Sequence, residues 1–243
     1  MCTIVAVLRP KGEDRLLFLE NHDKVDSDYL GEDVRLIDGN KVIALFDYRS
    51  KGIVCGYSLK ANIFGGVANV PGFKGTVSRG VLLREVLSSS KNLDDALRMM
   101  EERLRTGLYS SANYELGDLE RIFRIESFER KSYISKAMDR LMITNRFHHI
   151  NFKPEKELHH RIVENSLRRE NYLQSYMKKK ELTLDDIFRI ATHHGEEAPI
   201  CRHGGSDTLT LSSMIFYLKN DLQPKILYTL GNPCVNEYKE FKV

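Results

Sequence analysis

The sequence predicts an α+β protein in which two mainly antiparallel sheets lie between layers of helix. Three observations carry this reading. Strand-like runs fill the first third of the chain, two separate helical pairs follow, and strand-like runs return between and after them. The first run, CTIVAVLR, is apolar on both faces, with Cys2, Ile4, Ala6 and Leu8 on one and Val5 and Val7 on the other, so its sheet is covered on both sides.

The elements follow in order. CTIVAVLR and RLLFLENH form a hairpin around the turn-prone stretch Pro10-Lys11-Gly12-Glu13-Asp14. Further strands are expected over 41–48, 52–59 and 63–69. Apolar residues spaced three and four apart predict helices from Ser78 to Ser90 and from Leu93 to Leu104. A second hairpin, ANYELGD with LERIFRIE, turns at Gly117-Asp118, and a strand LMITN follows it. A long helix is expected from about His160 to Lys179. Thr183, with Asp186 three residues on, caps another helix that runs to His194. Strands over 207–218, 225–231 and 238–243 close the chain, and no repeat or linker divides residues 1–243, which read as one domain.

Composition excludes more than it names. With 42% hydrophobic and 29% charged residues and a formal charge of +3, the chain reads as a soluble globular protein without a nucleic-acid footprint. No apolar run is long enough to cross a membrane, and the first residues lack the basic start of a signal peptide, so no membrane partner and a cytoplasmic location are expected. Cys2, Cys55, Cys201 and Cys234 have no CxxC spacing and read as separate thiols. The histidine pairs His148-His149, His159-His160 and His193-His194, with Cys201-x-His203, show no HExxH or CxxC spacing, so no metal and no cofactor are expected.

One constellation carries chemistry. A hairpin turn centred on Gly12 sets Cys2 opposite His22 and within about a residue of Asn21 and Asp23. Removal of Met1 would leave Cys2 with a thiol and a free α-amine, whose ordinary pKa of ~7.7–8.0 suits it to take the thiol proton near neutral pH. Asp23 is placed to hold the resulting ammonium, and the thiolate is a nucleophile toward carbonyl carbon. The alternative reading of the same residues is a small buried cysteine and ordinary strand-end turn residues.

MCTIVAVL followed by ENHD resembles the start of the N-terminal-nucleophile cysteine hydrolases, among them choloylglycine hydrolases and the acyl-CoA:6-aminopenicillanate acyltransferase-like family. Further matches fall in the same order along nearly the whole chain. Gly65 to Gly72 is similar to the segment that supplies an oxyanion-hole asparagine, which points to Asn69. Ser111-Ala112-Asn113-Tyr114 with Gly117-Asp118 resembles a family strand pair, and Asn113 is then a substrate-binding candidate together with Asn21 and His22. Met142 to Asn145 resembles the segment with a second active-site asparagine, Asn145. His159-His160-Arg161 is similar to an element that places an arginine, here Arg161, near the nucleophile. Pro199 to His203, followed by Thr208 to Ser213, completes the pattern.

The resemblance implies a four-layer αββα sandwich with Cys2, Asp23, Asn69, Asn145 and Arg161 as catalytic residues. It implies an amidohydrolase or acyltransferase acting on a non-peptide C–N bond of a small acylated amine, with a homo-oligomer compatible. Ser78-Arg79-Gly80 and Glu237 to Phe241 also resemble the NRDE-type family, which implies the same fold in a catalytically silent haem- or lipid-binding or trafficking protein. Two departures stand out. Glu20 occupies a position where choloylglycine hydrolases have arginine, and a carboxylate pointing inward opposes a thiolate. Alternation along the strand puts Asn21 and Glu20 on opposite faces, so Glu20 faces away if Asn21 faces the site. Arg146-Phe147-His148 after Asn145 implies a different substrate pocket.

Overall fold

The computed structural model describes residues 2–9, 15–24, 31–39, 41–204, 208–219 and 224–242. The first turn, Pro10 to Asp14, and the initiator Met1 lie outside the described residues. Thirteen strands and four helices follow one another along the described chain.

The first sheet has six strands. They are β1 (Cys2–Leu8), β2 (Leu16–Lys24), β10 (Arg140–Ile143), β11 (Leu209–Leu218), β12 (Lys225–Leu230) and β13 (Lys239–Phe241), in the order β10-β1-β2-β11-β12-β13. The second has seven: β3 (Glu32–Ile37), β4 (Val42–Asp47), β5 (Gly52–Ser58), β6 (Ile63–Asn69), β7 (Ala112–Gly117), β8 (Ile122–Phe128) and β9 (Lys131–Ala137), laid out in chain order. Every pairing between these strands is antiparallel. The hairpin register is the expected one, with Cys2 opposite His22.

The helices are α1 (Arg79–Ser89), α2 (Leu93–Leu104), α3 (Glu157–Met177) and α4 (Leu184–Thr192). Ser78 and Asn92 cap α1 and α2 with side-chain oxygens. Thr183 and Asp186 form the full capping box expected at α4.

Alternation in the strands sorts the buried side chains into three clusters. Ile4, Ala6, Leu16 and Phe18 of the first sheet meet Ile43, Leu45 and Phe64 of the second. Phe18 sits between Phe64 at 5.6 Å and Phe216 at 5.1 Å. The other face of the first sheet, with Val5, Leu17 and Leu19, packs on Leu173, Ile187 and Ile190 of α3 and α4. The far face of the second sheet packs on α1 and α2 through Leu82, Val86, Ala96 and Met100. β1 is therefore buried along its whole length.

Two strands escape the sequence reading, β3 and β9, which form the edges of the second sheet. β9 alternates exposed and half-buried residues and carries Lys131 and Lys136, so it shows no apolar run.

The start of α1 lies unusually close to β5. A methyl group on Gly52 would fall 2.4 Å from the Gly80 carbonyl carbon, and one on Gly80 would fall 2.6 Å from the Ile53 oxygen. These two glycines let the first turn of α1, with Arg79, sit against the sheet. Gly52→Ala is expected to destabilise the fold by about 1–3 kcal/mol through overpacking of backbone on backbone. The check is urea unfolding of the variant against the natural chain.

Candidate functional site

The site gathers at the end of β1 where the chain begins. The Cys2 backbone nitrogen, which would be an α-amine were Met1 removed, donates to Asn145 Oδ1 at 2.8 Å. The same oxygen accepts from Arg169 Nη2 at 2.8 Å, and Arg169 Nη1 donates to the Cys2 carbonyl at 2.8 Å and to Thr3 Oγ1 at 2.7 Å. Asn145 Nδ2 donates to the Asn69 carbonyl at 2.5 Å, tying the first sheet's edge to the end of β6. Asn145 thus serves Cys2 mainly as an acceptor, with one amide proton left over.

The segment that carries Asn145 is held from three sides. Asn113 Nδ2 donates to the carbonyls of Thr144 and Arg146, on either side of Asn145. Asn113 therefore positions the loop, although the sequence reading made it a substrate-binding residue. Glu126 accepts from the backbone nitrogens of His148, His149 and Ile150 at 2.7–2.9 Å. Glu170 accepts from Thr144 Oγ1 and Arg146 Nε, each at 2.6 Å, and pairs with His148 Nε2 at 2.9 Å. Burial opposes ionisation of Glu170, but the hydrogen bonds and charges of His148, Thr144 and Arg146 win and bring its pKa down to about 2.

The expected arginine is not the one that arrives. Arg161 lies on the exposed side of α3, whereas Arg169, two turns further on, is fully buried against Cys2. Burial lowers the guanidinium's pKa, while Asp23, Cys2 and Glu170 oppose the shift. A readable signal existed: Arg169 falls on the three-and-four spacing of Ile162, Ser166, Leu173 and Tyr176, and a charge on the face that a helix buries demands a partner.

The faces of β2 also resolve opposite to expectation. Asn21 shares Thr3's face and donates to the carbonyls of Ala191 at 2.8 Å and Ile200 at 3.3 Å, closing the end of α4. It does not reach the thiol's face. Glu20 does: it is fully buried and neither carboxylate oxygen has a hydrogen-bond partner. A methyl group on Gly66 would fall 2.3 Å from Glu20 Oε2, so only glycine leaves room for it. Burial first, then Cys2, Glu115 and Glu32, push the Glu20 carboxyl well above the usual carboxylate range. The shift favours the neutral acid and so lessens the negative charge that Glu20 brings beside Cys2.

His22 shares the Cys2 face and pairs across the sheets with Glu32, at 2.5 Å from Nδ1 to Oε1. Ser212 Oγ donates to the other Glu32 oxygen at 2.5 Å. Burial alone would depress the imidazole, but the charges of Glu32 and Cys2 and the Glu32 hydrogen bond raise its pKa to about 9. A register shift in β11 between Thr210 and Ser212 gives each hydroxyl a partner, so Thr210 Oγ1 donates to Asp23 Oδ1 at 2.7 Å.

Beside this cluster opens a cleft of about 370 Å3 whose walls include His22, Asn69 and Arg79. The Asn69 side chain is exposed, whereas Arg79 is anchored by a bond to the Ser111 carbonyl at 2.9 Å. Lys24, Arg49 and Lys74 line the same cleft, and Asp47 is its acid. The roomier recess, about 940 Å3 around Tyr172 and His193, is lined by none of these residues.

A thiol on a residue whose nitrogen can become a free amine, flanked by amide donors and a buried guanidinium, can carry out acyl transfer. The chain belongs to the AAT family: the family model of acyl-coenzyme A:6-aminopenicillanic acid acyl-transferase matches residues 47–234. Membership implies acyltransferase or amide-hydrolysing chemistry. The matched stretch holds Asn69, Asn113, Asn145 and Arg169, and the hairpin with Cys2 and Asp23 precedes it. No curated protein matches the chain.

Two substitutions probe this geometry. Glu20→Gln is expected to be more stable than the natural chain at pH 7. A carboxyl raised in the folded state stabilises fully only below its unfolded pKa of ~4.3, and that contribution fades as pH rises toward the folded value. The advantage of glutamine should therefore grow from pH 5 to pH 8 in urea titrations. Arg169→Lys keeps the charge but not the fork that serves Cys2, Thr3 and Asn145. Unfolding free energy should fall by about 1–3 kcal/mol, and mostly in this variant rather than in Arg161→Lys.

Proposed function

We propose that residues 1–243 form one N-terminal-nucleophile domain, a four-layer αββα sandwich, with Cys2 as nucleophile after Met1 is removed. Its reaction is cleavage of a non-peptide C–N bond in a small acylated amine. The three side-chain clusters, one between the sheets and one beneath each helical pair, support the layering. The observation that carries the function is the bond from the Cys2 nitrogen to Asn145 Oδ1, with Arg169 fixing both partners.

The α-amine takes the thiol proton, and the sulfur attacks the carbonyl carbon. The C–N bond then breaks, the proton passes to the leaving amine, and a thioester on Cys2 remains. Water releases the acyl group as an acid, or an amine accepts it as a new amide. Asp23, close to the buried Arg169, holds the ammonium form of the amine. The His22 imidazolium, fixed by Glu32, sits beside the sulfur and stabilises its anion. The exposed amide of Asn69 and the remaining amide proton of Asn145 meet the oxyanion, each such donor being worth about 2.7–4 kcal/mol of barrier. The cations around the cleft favour a substrate with an acidic group, for which Arg79 is the best-anchored partner.

Intact-mass analysis with an acylating probe tests this reading. The purified chain should lack Met1 and take one acyl group at Cys2, and Cys2→Ala should lower turnover of any substrate found by on the order of a thousandfold or more. Retained Met1, or acylation of Cys55, Cys201 or Cys234 in place of Cys2, would overturn it.

A further inference from the structure

A second cluster of chemically active side chains lies apart from the thiol at Cys2. Cys201 Sγ is 3.4 Å from Cys234 Sγ and 3.9 Å from His203 Nε2, and Cys234 Sγ is 2.9 Å from that same nitrogen. His194 joins them: donor atoms of His194, His203 and Cys234 all lie within 4.8 Å of one another. The segment after α4 and the loop after β12 thus bring Cys201 against His203 and Cys234, and those two against His194.

The spacing comes within about 0.6 Å of that around a tetrahedral ion. Bonds of about 2.3 Å to sulfur and about 2.0 Å to nitrogen put sulfurs about 3.8 Å apart and sulfur and nitrogen about 3.5 Å apart. The surroundings fit as well. His194 Nδ1 lies 2.9 Å from the Thr192 carbonyl, so it donates there and leaves Nε2 as the lone-pair nitrogen. Asn232 Nδ2 donates to Cys201 Sγ at 3.6 Å and to the Arg202 carbonyl at 2.5 Å, the kind of N–H support a thiolate ligand has. Both histidines are exposed, so an ion can enter from solvent.

The geometry points to a four-coordinate site for a zinc-class divalent cation, made by His194, Cys201, His203 and Cys234. Two thiolates with two imidazoles select zinc over harder cations, and four protein ligands leave no open position for substrate. Binding releases the two thiol protons to solvent and takes both imidazoles neutral. The role is a clamp. Between Cys201 and His203 stands Arg202, whose backbone nitrogen donates to Thr210 Oγ1 at 2.8 Å, and Thr210 in turn donates to Asp23. Ile200, just before, accepts from Asn21. The ion thus fixes the strap that backs the end of β2.

The sequence reading assigned no metal here because these residues lack HExxH or CxxC spacing; in the structure the neighbouring histidines point apart. His193 stacks on Tyr172 at 3.8 Å between ring centres, while His194 turns to His203. One member of the pair meets cysteines from elsewhere in the chain.

The test uses the full chain, reduced and without an affinity tag. Titration with zinc and with cobalt(II) should each saturate at one ion per chain, and the cobalt form should show tetrahedral ligand-field bands with sulfur charge transfer. Cys234→Ser or His194→Gln should weaken binding at least about tenfold, and His193→Gln should leave it unchanged. Zinc should also raise the Tm of the natural chain. Failure to bind, an octahedral cobalt spectrum without sulfur charge transfer, or a chain purified with Cys201 and Cys234 joined as a disulfide that binds no ion once reduced, would each overturn the site.

Discussion

The arrangement at Cys2 depends on one buried charge. Arg169 is fully buried, and taking a guanidinium out of water costs several kcal/mol unless its donors and its charge are met. Its two Nη groups donate to the Cys2 carbonyl, Thr3 and Asn145, Nε has no partner among the described residues, and the charge is opposed by Asp23 and Glu170. Those partners come from β1, β2, the segment after β10 and α3 itself. Apart from Glu170, the next residue along α3, none is near Arg169 in sequence, so the penalty is offset only when the others are docked. The same contacts set the Cys2 nitrogen and the Asn145 amide in one geometry.

Carboxylates of one chemical type divide into two roles around this core. Glu170 and Glu126 face donors and act as anchors, with Glu170 held ionised down to about pH 2 by His148, Thr144 and Arg146. Glu20 and Glu115 face the space between the sheets, where burial pushes both well above the ordinary range. Environment alone pushes Glu170 down and Glu20 and Glu115 up. His22 takes a third course, since the Glu32 carboxylate bonded to it at 2.5 Å helps to raise its pKa to about 9 against the effect of burial.

Support for the site runs outward in shells. Asn113 and Glu126 of the second sheet hold the segment that carries Asn145, so that sheet positions an element of the first. On the far side, Asn21 closes α4 and Thr210 links Asp23 to Arg202, in the strap proposed to be clamped by a cation. A side chain near the thiol in sequence can therefore be structural, as Asn21 is. One distant in sequence can touch it, as Arg169 does.

The sequence by itself determined eleven of the thirteen described strands, the four helices, the register that pairs Cys2 with His22, and the cap at Thr183. All of these are local signals of period, turn and capping. The edge strands β3 and β9 escaped because a strand paired on one side needs no apolar run. Family likeness marked Asn69 and Asn145 through short local motifs, yet it chose Arg161 over Arg169, since neighbouring helical turns look alike until one face is buried. Which face of β2 meets the thiol was decided only when Asn21 found the carbonyls of Ala191 and Ile200, nearly two hundred residues away in sequence. The convergence of His194, Cys201, His203 and Cys234 was decided the same way. Local sequence carries the period of a strand or helix, but which side is buried, and beside what, is set by contacts that exist only once the chain has closed on itself.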